Sequence, residues 1–143
     1  MVNGKRKEAG QALEQRCGLP RCPSRTFNPA AYLYFMVIAT ISPVELAARL
    51  AAGDRLHLVD VRDPMEFDYY HLPGSTLVPL DELSQRVADV PAEGPVVLVC
   101  HHGVRSAHAL AYLQQQHGRN NLLNLRGGID AWSLEVDATV PRY

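Results

Sequence analysis

The chain has almost no excess of either charge and no apolar run long enough to cross a membrane. Its net charge is -1 at pH 7 over 143 residues, so it lacks the basic surface field that nucleic-acid binding requires. The apolar stretch from Ala30 to Ile41 falls short of the roughly 20 residues that span a bilayer, and it lies too far along the chain for an ordinary secretory signal. These absences predict a protein that binds neither nucleic acid nor membrane.

Cysteine is also scarce. Three cysteines, an odd number, exclude a complete disulfide framework, and in a chain large enough for one hydrophobic core they favour a reducing compartment, here the cytoplasm. Cys17 and Cys22 have no second pair of ligands nearby, so they predict free thiols rather than a zinc site. Cys100 stands apart from both and needs its own explanation.

The composition divides the chain into two parts. Residues 1–35 mix charge, glycine and proline without sustained periodicity, which predicts a poorly ordered N-terminal extension. Residues 36–143 predict one domain in which strands and helices alternate. Five apolar segments are typical of strands: VIATI, LHLVDV, STLVPL, PVVLV and NLLNL.

Helix signals lie between those segments. Ser42, Asp63 and Asp81 are typical N-caps, Gly118 follows a helical pattern that begins at Val104, and GIDAWSLEV predicts a closing helix. We expect the longest helix to bury Ala107, Leu110, Ala111 and Leu113. Wholly apolar strands separated by helices predict an α/β fold, with a parallel central sheet of about five strands and helices on both faces.

The segment VVLVCHHGVRS places Cys100 between the most apolar strand and the longest helix. Ligands of parallel sheets bind at this end of the strands, and the first turn of a helix offers main-chain N–H groups that stabilise an anion such as a thiolate. His101, His102 and Arg105 add positive charge, and Gly103 lets the loop curl. The pattern predicts an anion-binding nucleophile, although a small buried core cysteine is the alternative.

Three blocks of the sequence together resemble the single-domain rhodaneses, the sulfurtransferases that carry a persulfide on one cysteine. They are the Cys100 loop, LVDVRDPMEFDYYHLPGS at Leu58 to Ser75, and LRGGIDAW at Leu125 to Trp132. Their order and spacing match the family from about Ile38 to Tyr143. One position departs from the pattern, because Tyr70 stands before His71 where the family commonly has glycine, which puts the local turn in question.

The resemblance implies a sulfurtransferase in which Cys100 takes sulfane sulfur from a small anionic donor such as thiosulfate. The sulfur then passes to an acceptor, which is cyanide in vitro and a thiol or a protein in the cell. No cofactor or metal is implied. The residues implied to bind the donor and the transferred sulfur are His101, His102, Gly103, Val104, Arg105 and Ser106.

Other residues of the matched blocks have structural roles in this interpretation. Arg105 either binds the donor or forms an ion pair with a carboxylate that braces the loop. The residues expected to shape the pocket are Asp60, Arg62, Glu66 and His71. Gly127 and Gly128 predict a tight turn, and Trp132 a core or lid residue. His101 and His102 are adjacent, so we expect their side chains to diverge, and no partner ligand for zinc occurs at a useful spacing.

Two other functions remain open. Cysteine phosphatases and arsenate reductases also bind anions on a loop from cysteine to arginine, but their pattern is C-x5-R, whereas Cys100 and Arg105 are separated by one residue fewer. The shorter loop favours a single sulfur atom over a tetrahedral phosphate. A non-catalytic interaction module is the second alternative, which the presence of Cys100 disfavours.

Overall fold

A computed structural model of the chain describes residues 38–143. The predicted N-terminal extension, with Cys17 and Cys22, lies outside the described residues, as does the start of the first predicted strand. Among residues 38–143, no helix combines the length and the apolar character needed to cross a membrane.

Five parallel strands form one sheet, which confirms the predicted architecture. In chain order they are β1 (Thr40–Ile41), β2 (His57–Asp60), β3 (Ser75–Leu77), β4 (Val96–Val99) and β5 (Leu122–Leu125). In space the order is β1-β5-β4-β2-β3, so β4 is the central strand. All four residues of β4 are buried, as expected of a strand that is covered on both faces.

Within residues 38–143, four helices connect and cover the strands: α1 (Pro43–Ala51), α2 (Pro64–Tyr69), α3 (Val104–His117) and α4 (Gly128–Glu135). Ser42 and Asp63 are the N-caps that the sequence predicts, since their side chains accept the N–H of Glu45 at 3.2 Å and of Glu66 at 3.0 Å. Gly118 ends α3 in the left-handed conformation.

Side chains that alternate along β4 supply two hydrophobic cores. Val96 and Leu98 pack on the face covered by α3, whereas Val97 and Val99 pack on the face covered by α1 and α4. Both faces of the sheet are therefore covered by helices, which leaves the carboxyl ends of the strands as the place where a ligand can bind.

The helix predicted after Asp81 is wrong. Residues in this segment form a series of turns followed by a short 3₁₀-helix at Val87–Asp89. Its hydrogen bonds largely join residues three apart, as from the Glu82 N–H to the Pro79 carbonyl at 3.0 Å. The apolar residues that suggested an α-helix instead anchor successive turns to the core.

The buried face of α3 also differs from the prediction. Ser106, Ala109, Leu110 and Leu113 are its buried residues, whereas Ala107 and Ala111 are half-buried. The spacing is that of a normal buried helical face. The prediction missed its first member because Ser106 is polar and is buried by hydrogen bonding rather than by hydrophobicity.

Candidate active site

The loop that begins at Cys100 lies at the carboxyl end of the central strand. Val99 pairs in register with Asp60 at the end of β2, and β5 flanks β4 on the other side. Residues from three strand ends therefore meet around the cysteine, which is the position that the sequence predicts for it.

The Cys100 sulfur is held by the loop itself. The N–H of Gly103 donates to Sγ at 3.0 Å, and the Ser106 hydroxyl lies 3.2 Å from Sγ. Gly103 has a φ of +89°, a left-handed conformation that turns the loop back toward the sulfur. Cys100 is a free thiol, only 1% exposed, and it packs with the hydrophobic residues on the α3 face of the sheet.

Asn124 on β5 fixes the loop from the neighbouring strand. Its Oδ1 accepts the Ser106 hydroxyl at 2.6 Å, and its Nδ2 donates to the Gly103 carbonyl at 3.1 Å. The sequence prediction missed this residue. The available signal was a single polar residue in an otherwise apolar strand, since a buried amide needs partners.

Helix α4 is joined directly to the main chain of the active loop. The N–H groups of Ile129 and Asp130 donate to the carbonyls of Cys100 and His101 at 2.9 and 3.0 Å. A Cβ at Gly128 would overlap both carbonyl oxygens, so only glycine allows this approach. Gly127 and Gly128 have φ values of +71° and +62°, which confirms the predicted tight turn.

Arg105 forms an ion pair with Glu66 rather than pointing freely into solvent. Its two terminal nitrogens donate to the two carboxylate oxygens at 2.6 and 2.7 Å. The hydrogen bond from Arg105 lowers the pKa of Glu66 from 4.5 to about 2. Arg105 was expected either to bind the donor or to brace the loop through an ion pair. Its contacts fit the bracing role, because its guanidinium is already paired with a carboxylate.

A second, fully buried ion pair supports the first. Arg62 donates to Asp60 at 2.7 Å, and it also donates to the Tyr70 carbonyl at 2.6 Å and to the Tyr143 hydroxyl at 2.8 Å. Tyr143 in turn donates to Glu66 at 2.8 Å, which links the two pairs. No local pattern in the sequence indicated Tyr143, because its partners lie far away along the chain.

The departure at Tyr70 causes no distortion. Its backbone is extended, with a φ of -162°, a conformation that any residue adopts, and its carbonyl oxygen is used by Arg62. His71 follows it but is exposed, stacks on Phe67 and hydrogen-bonds the Phe67 carbonyl at 2.8 Å. His71 therefore closes the end of α2 instead of lining the loop.

His101 and His102 do not diverge as expected. Their ring centroids are 4.1 Å apart in an edge-to-face contact. Adjacent side chains point apart in an extended strand, but both residues lie in the bend that precedes Gly103. His101 is buried and stacks on Tyr143, whereas His102 is exposed and approaches Asp130 to 3.9 Å.

The remaining predicted residues have clear positions. Val104 is exposed at the start of α3, and Trp132 is 8% exposed within the core, which confirms a core role. A cleft of about 390 Å³ opens beside the ion pairs, lined by Val61, Arg62, Asp63, Leu80, Asp81 and Arg105.

The geometry suits a covalent relay on sulfur. The cysteine has a main-chain donor and a hydroxyl at its sulfur, both fixed by Asn124, and the loop is clamped by α4 and by the Arg105–Glu66 pair. Fixed donors around a nucleophile stabilise the negative charge that it carries before and after it reacts.

Comparisons with known proteins agree with this description. The sequence model of the family described as "Rhodanese-like domain" matches residues 42–135. The probable adenylyltransferase/sulfurtransferase MoeZ of Mycobacterium tuberculosis is 39% identical over 107 residues, which cover 73% of this chain. The match covers only 27% of MoeZ, so this chain is similar to one part of that relative.

Two further proteins match at different lengths. A sulfurtransferase of Allochromatium vinosum is 38% identical over 97 residues, which cover 68% of this chain and 90% of the relative. The crystal structure of the thiosulfate sulfurtransferase from Pseudomonas aeruginosa superimposes with a TM-score of 0.62 at 26% identity, over 73% of this chain and 20% of that one.

Proposed function

The chain belongs to the rhodanese-like domain family, and from this premise we propose that it is a sulfurtransferase that carries sulfane sulfur on Cys100. The observation that carries the proposal is the pair of polar groups at the Cys100 sulfur, the Gly103 N–H at 3.0 Å and the Ser106 hydroxyl at 3.2 Å, in a loop clamped on two sides. The sulfurtransferase of Allochromatium vinosum, most of whose length is matched, supports the same reaction class.

In the first half-reaction the Cys100 thiolate attacks the outer sulfur of a donor such as thiosulfate. The new S–S bond forms as the sulfur–sulfur bond of the donor breaks, and sulfite leaves with the electron pair. In the second half-reaction an acceptor nucleophile attacks the outer sulfur of the persulfide, and the Cys100 thiolate leaves. No external oxidant or reductant is needed, and the two steps give ping-pong kinetics.

The residues of the Cys100 loop have different roles in this proposal. Gly103 and Ser106 stabilise the sulfur, whereas Arg105 braces the loop through Glu66. Of the three side chains implied to meet a donor, His101 is buried and Arg105 is paired, which leaves His102 as the exposed one. The acceptor in the cell is a thiol or a sulfur-accepting protein, and a free Cys100 thiol is consistent with a reducing compartment such as the cytoplasm.

Intact-mass spectrometry tests the proposal directly. The reduced full chain is exposed to thiosulfate and desalted, and we expect it to gain the mass of one sulfur atom and to lose it when cyanide is added. Cys100→Ser gains none. The matched control carries Cys17→Ser and Cys22→Ser and still gains one sulfur, which assigns the persulfide to the loop.

Two outcomes would reject sulfur transfer. A chain that never gains sulfur from thiosulfate or from a low-molecular-weight persulfide is an interaction module. A chain that gains no sulfur but hydrolyses aryl phosphates with a rate that depends on Cys100 is a phosphatase.

A further inference from the structure

Three potential metal ligands meet beside the active loop. One ligand atom each from His101, His102 and Asp130 lie within 4.8 Å of one another. His102 Nδ1 is 3.9 Å from Asp130 Oδ2, and the two imidazole rings are in contact. Asp130 could not be found from the spacing of the histidines, because it belongs to α4 and reaches the loop only through the fold.

The frame that carries these ligands is rigid. The N–H of Asp130 donates to the carbonyl of His101 at 3.0 Å, so a ligand on α4 is tied by its own main chain to a ligand on the loop. At the adjacent Gly128 the helix packs directly against the carbonyl groups of Cys100 and His101. A preorganised frame reduces the entropy lost when an ion binds.

His101 supplies an independent indication of a ligand. It is 8% exposed, and neither ring nitrogen has a hydrogen-bond partner. The main chain of Tyr143 lies nearby, but it does not meet hydrogen-bond geometry. A buried polar group without a partner is costly and calls for an explanation, and an unseen ion is among the common ones.

Asp130 has one carboxylate oxygen, Oδ2, that faces the histidine pair. Arg142 contacts Oδ1 at 2.8 Å, so Oδ2 remains for a ligand on the side of His102.

We propose that His101, His102 and Asp130 bind a divalent transition-metal ion of the Zn²⁺ class, through two imidazole nitrogens and Asp130 Oδ2. Zinc lies about 2.1 Å from such ligands, which places tetrahedral ligand atoms about 3.4 Å apart. The present separations must therefore shorten by up to about 1.4 Å, and the His102 side chain, 64% exposed, is free to make that movement. The fourth position remains open to water or an exogenous ligand.

Two imidazoles select this class of ion. Imidazole suits zinc, cobalt, nickel and copper, whereas Mg²⁺ and Ca²⁺ prefer oxygen ligands. The ion would bind on the loop that holds Cys100, so it is placed to regulate that loop. Binding itself does not depend on sulfur transfer, and it stands even if the proposed function fails.

A Co²⁺ titration followed by visible absorption tests the site. The full chain carries Cys17→Ser and Cys22→Ser to remove competing thiols, and keeps Cys100. We expect one Co²⁺ per chain, with d–d bands and no thiolate-to-cobalt charge-transfer band. Zn²⁺ displaces it and Mg²⁺ does not.

Substitutions identify the ligands. His102→Gln and Asp130→Asn each weaken Co²⁺ binding by more than about tenfold, because the loss of a ligand costs at least as much as the loss of a group that orients one. His101→Phe keeps an aromatic ring against Tyr143 and also weakens binding. The matched control is His108→Gln, which removes an exposed histidine from α3 and leaves binding unchanged. Arg142→Gln removes a competing cation from Asp130 and strengthens binding.

Other results overturn the proposal. Absence of Co²⁺ binding does so, as does binding that survives both His102→Gln and Asp130→Asn. A charge-transfer band that disappears with Cys100→Ser would assign the ion to the cysteine. Far-ultraviolet circular dichroism of each variant shows that a lost site is not a lost fold.

Discussion

Replacing Glu66 by glutamine removes one charge from the ion pair with Arg105 while keeping the size of the side chain. In the folded protein the pKa of Glu66 is lowered from 4.5 to about 2. At about 1.4 kcal/mol per pKa unit, this fall corresponds to about 3 kcal/mol of stabilisation at neutral pH. Solvent reaches 37% of the Arg105 side chain and 16% of that of Glu66, and its screening reduces the expected effect to about 1.5 kcal/mol.

Urea unfolding measures this contribution. We expect Glu66→Gln to lower the free energy of unfolding at pH 7 by that amount. Because folding lowers the pKa of Glu66, the contribution is present above pH 4.5 and is lost as the pH falls through about 2. The difference between wild type and variant therefore shrinks over this acidic range.

The control is Glu82→Gln, which removes a carboxylate from an exposed ion pair with Arg86. We expect it to cost clearly less, since solvent screens both partners. In a double-mutant cycle, we expect the variant with both Glu66→Gln and Arg105→Gln to lose little more free energy of unfolding than either single variant. The reasoning is refuted if Glu66→Gln is as stable as wild type at pH 7. It is also refuted if the loss in free energy of unfolding in the double variant equals the sum of the two single losses.

Two further predictions concern the loop. Gly103→Ala forces a side chain into a left-handed backbone 3.1 Å from the Gly127 nitrogen, so we expect a loss of about 2–3 kcal/mol in thermal or urea unfolding. Gly118→Ala, in the same backbone region with open space, costs about 1 kcal/mol, and equal losses would contradict the steric argument. Tyr143→Phe keeps the stacking on His101 but removes the hydroxyl shared by the two ion pairs, at a cost of about 1 kcal/mol. An unchanged unfolding midpoint would show that the hydroxyl is dispensable.

Local patterns were sufficient for much of the fold. Helix α3 begins at Val104 and ends at His117, as predicted, because a loop glycine, a helical run and Gly118 all act within a few residues of the affected backbone. The segment after Asp81 misled the prediction because apolar residues three or four apart suit successive turns as well as an α-helix.

The site was predictable only where its residues are neighbours in sequence. Cys100, Gly103 and Ser106 follow one another closely, and their proximity could be inferred from the start of a helix after a buried strand. Asn124 and Tyr143 reach the loop through tertiary contacts, and a sequence gives no distance between residues so far apart. For the same reason, the approach of Asp130 to the two histidines could not be predicted.

The Ser106 hydroxyl stands between two acceptors, Asn124 Oδ1 at 2.6 Å and Cys100 Sγ at 3.2 Å, and it has a single hydrogen to give. While the sulfur keeps its own proton, it can donate that proton to the serine oxygen, and the hydroxyl hydrogen can go to the asparagine. Once the sulfur is ionised, a rotation about one C–O bond turns the hydrogen toward it. The loop therefore accommodates both protonation states of its nucleophile by moving one hydrogen atom, with every heavy atom left in place.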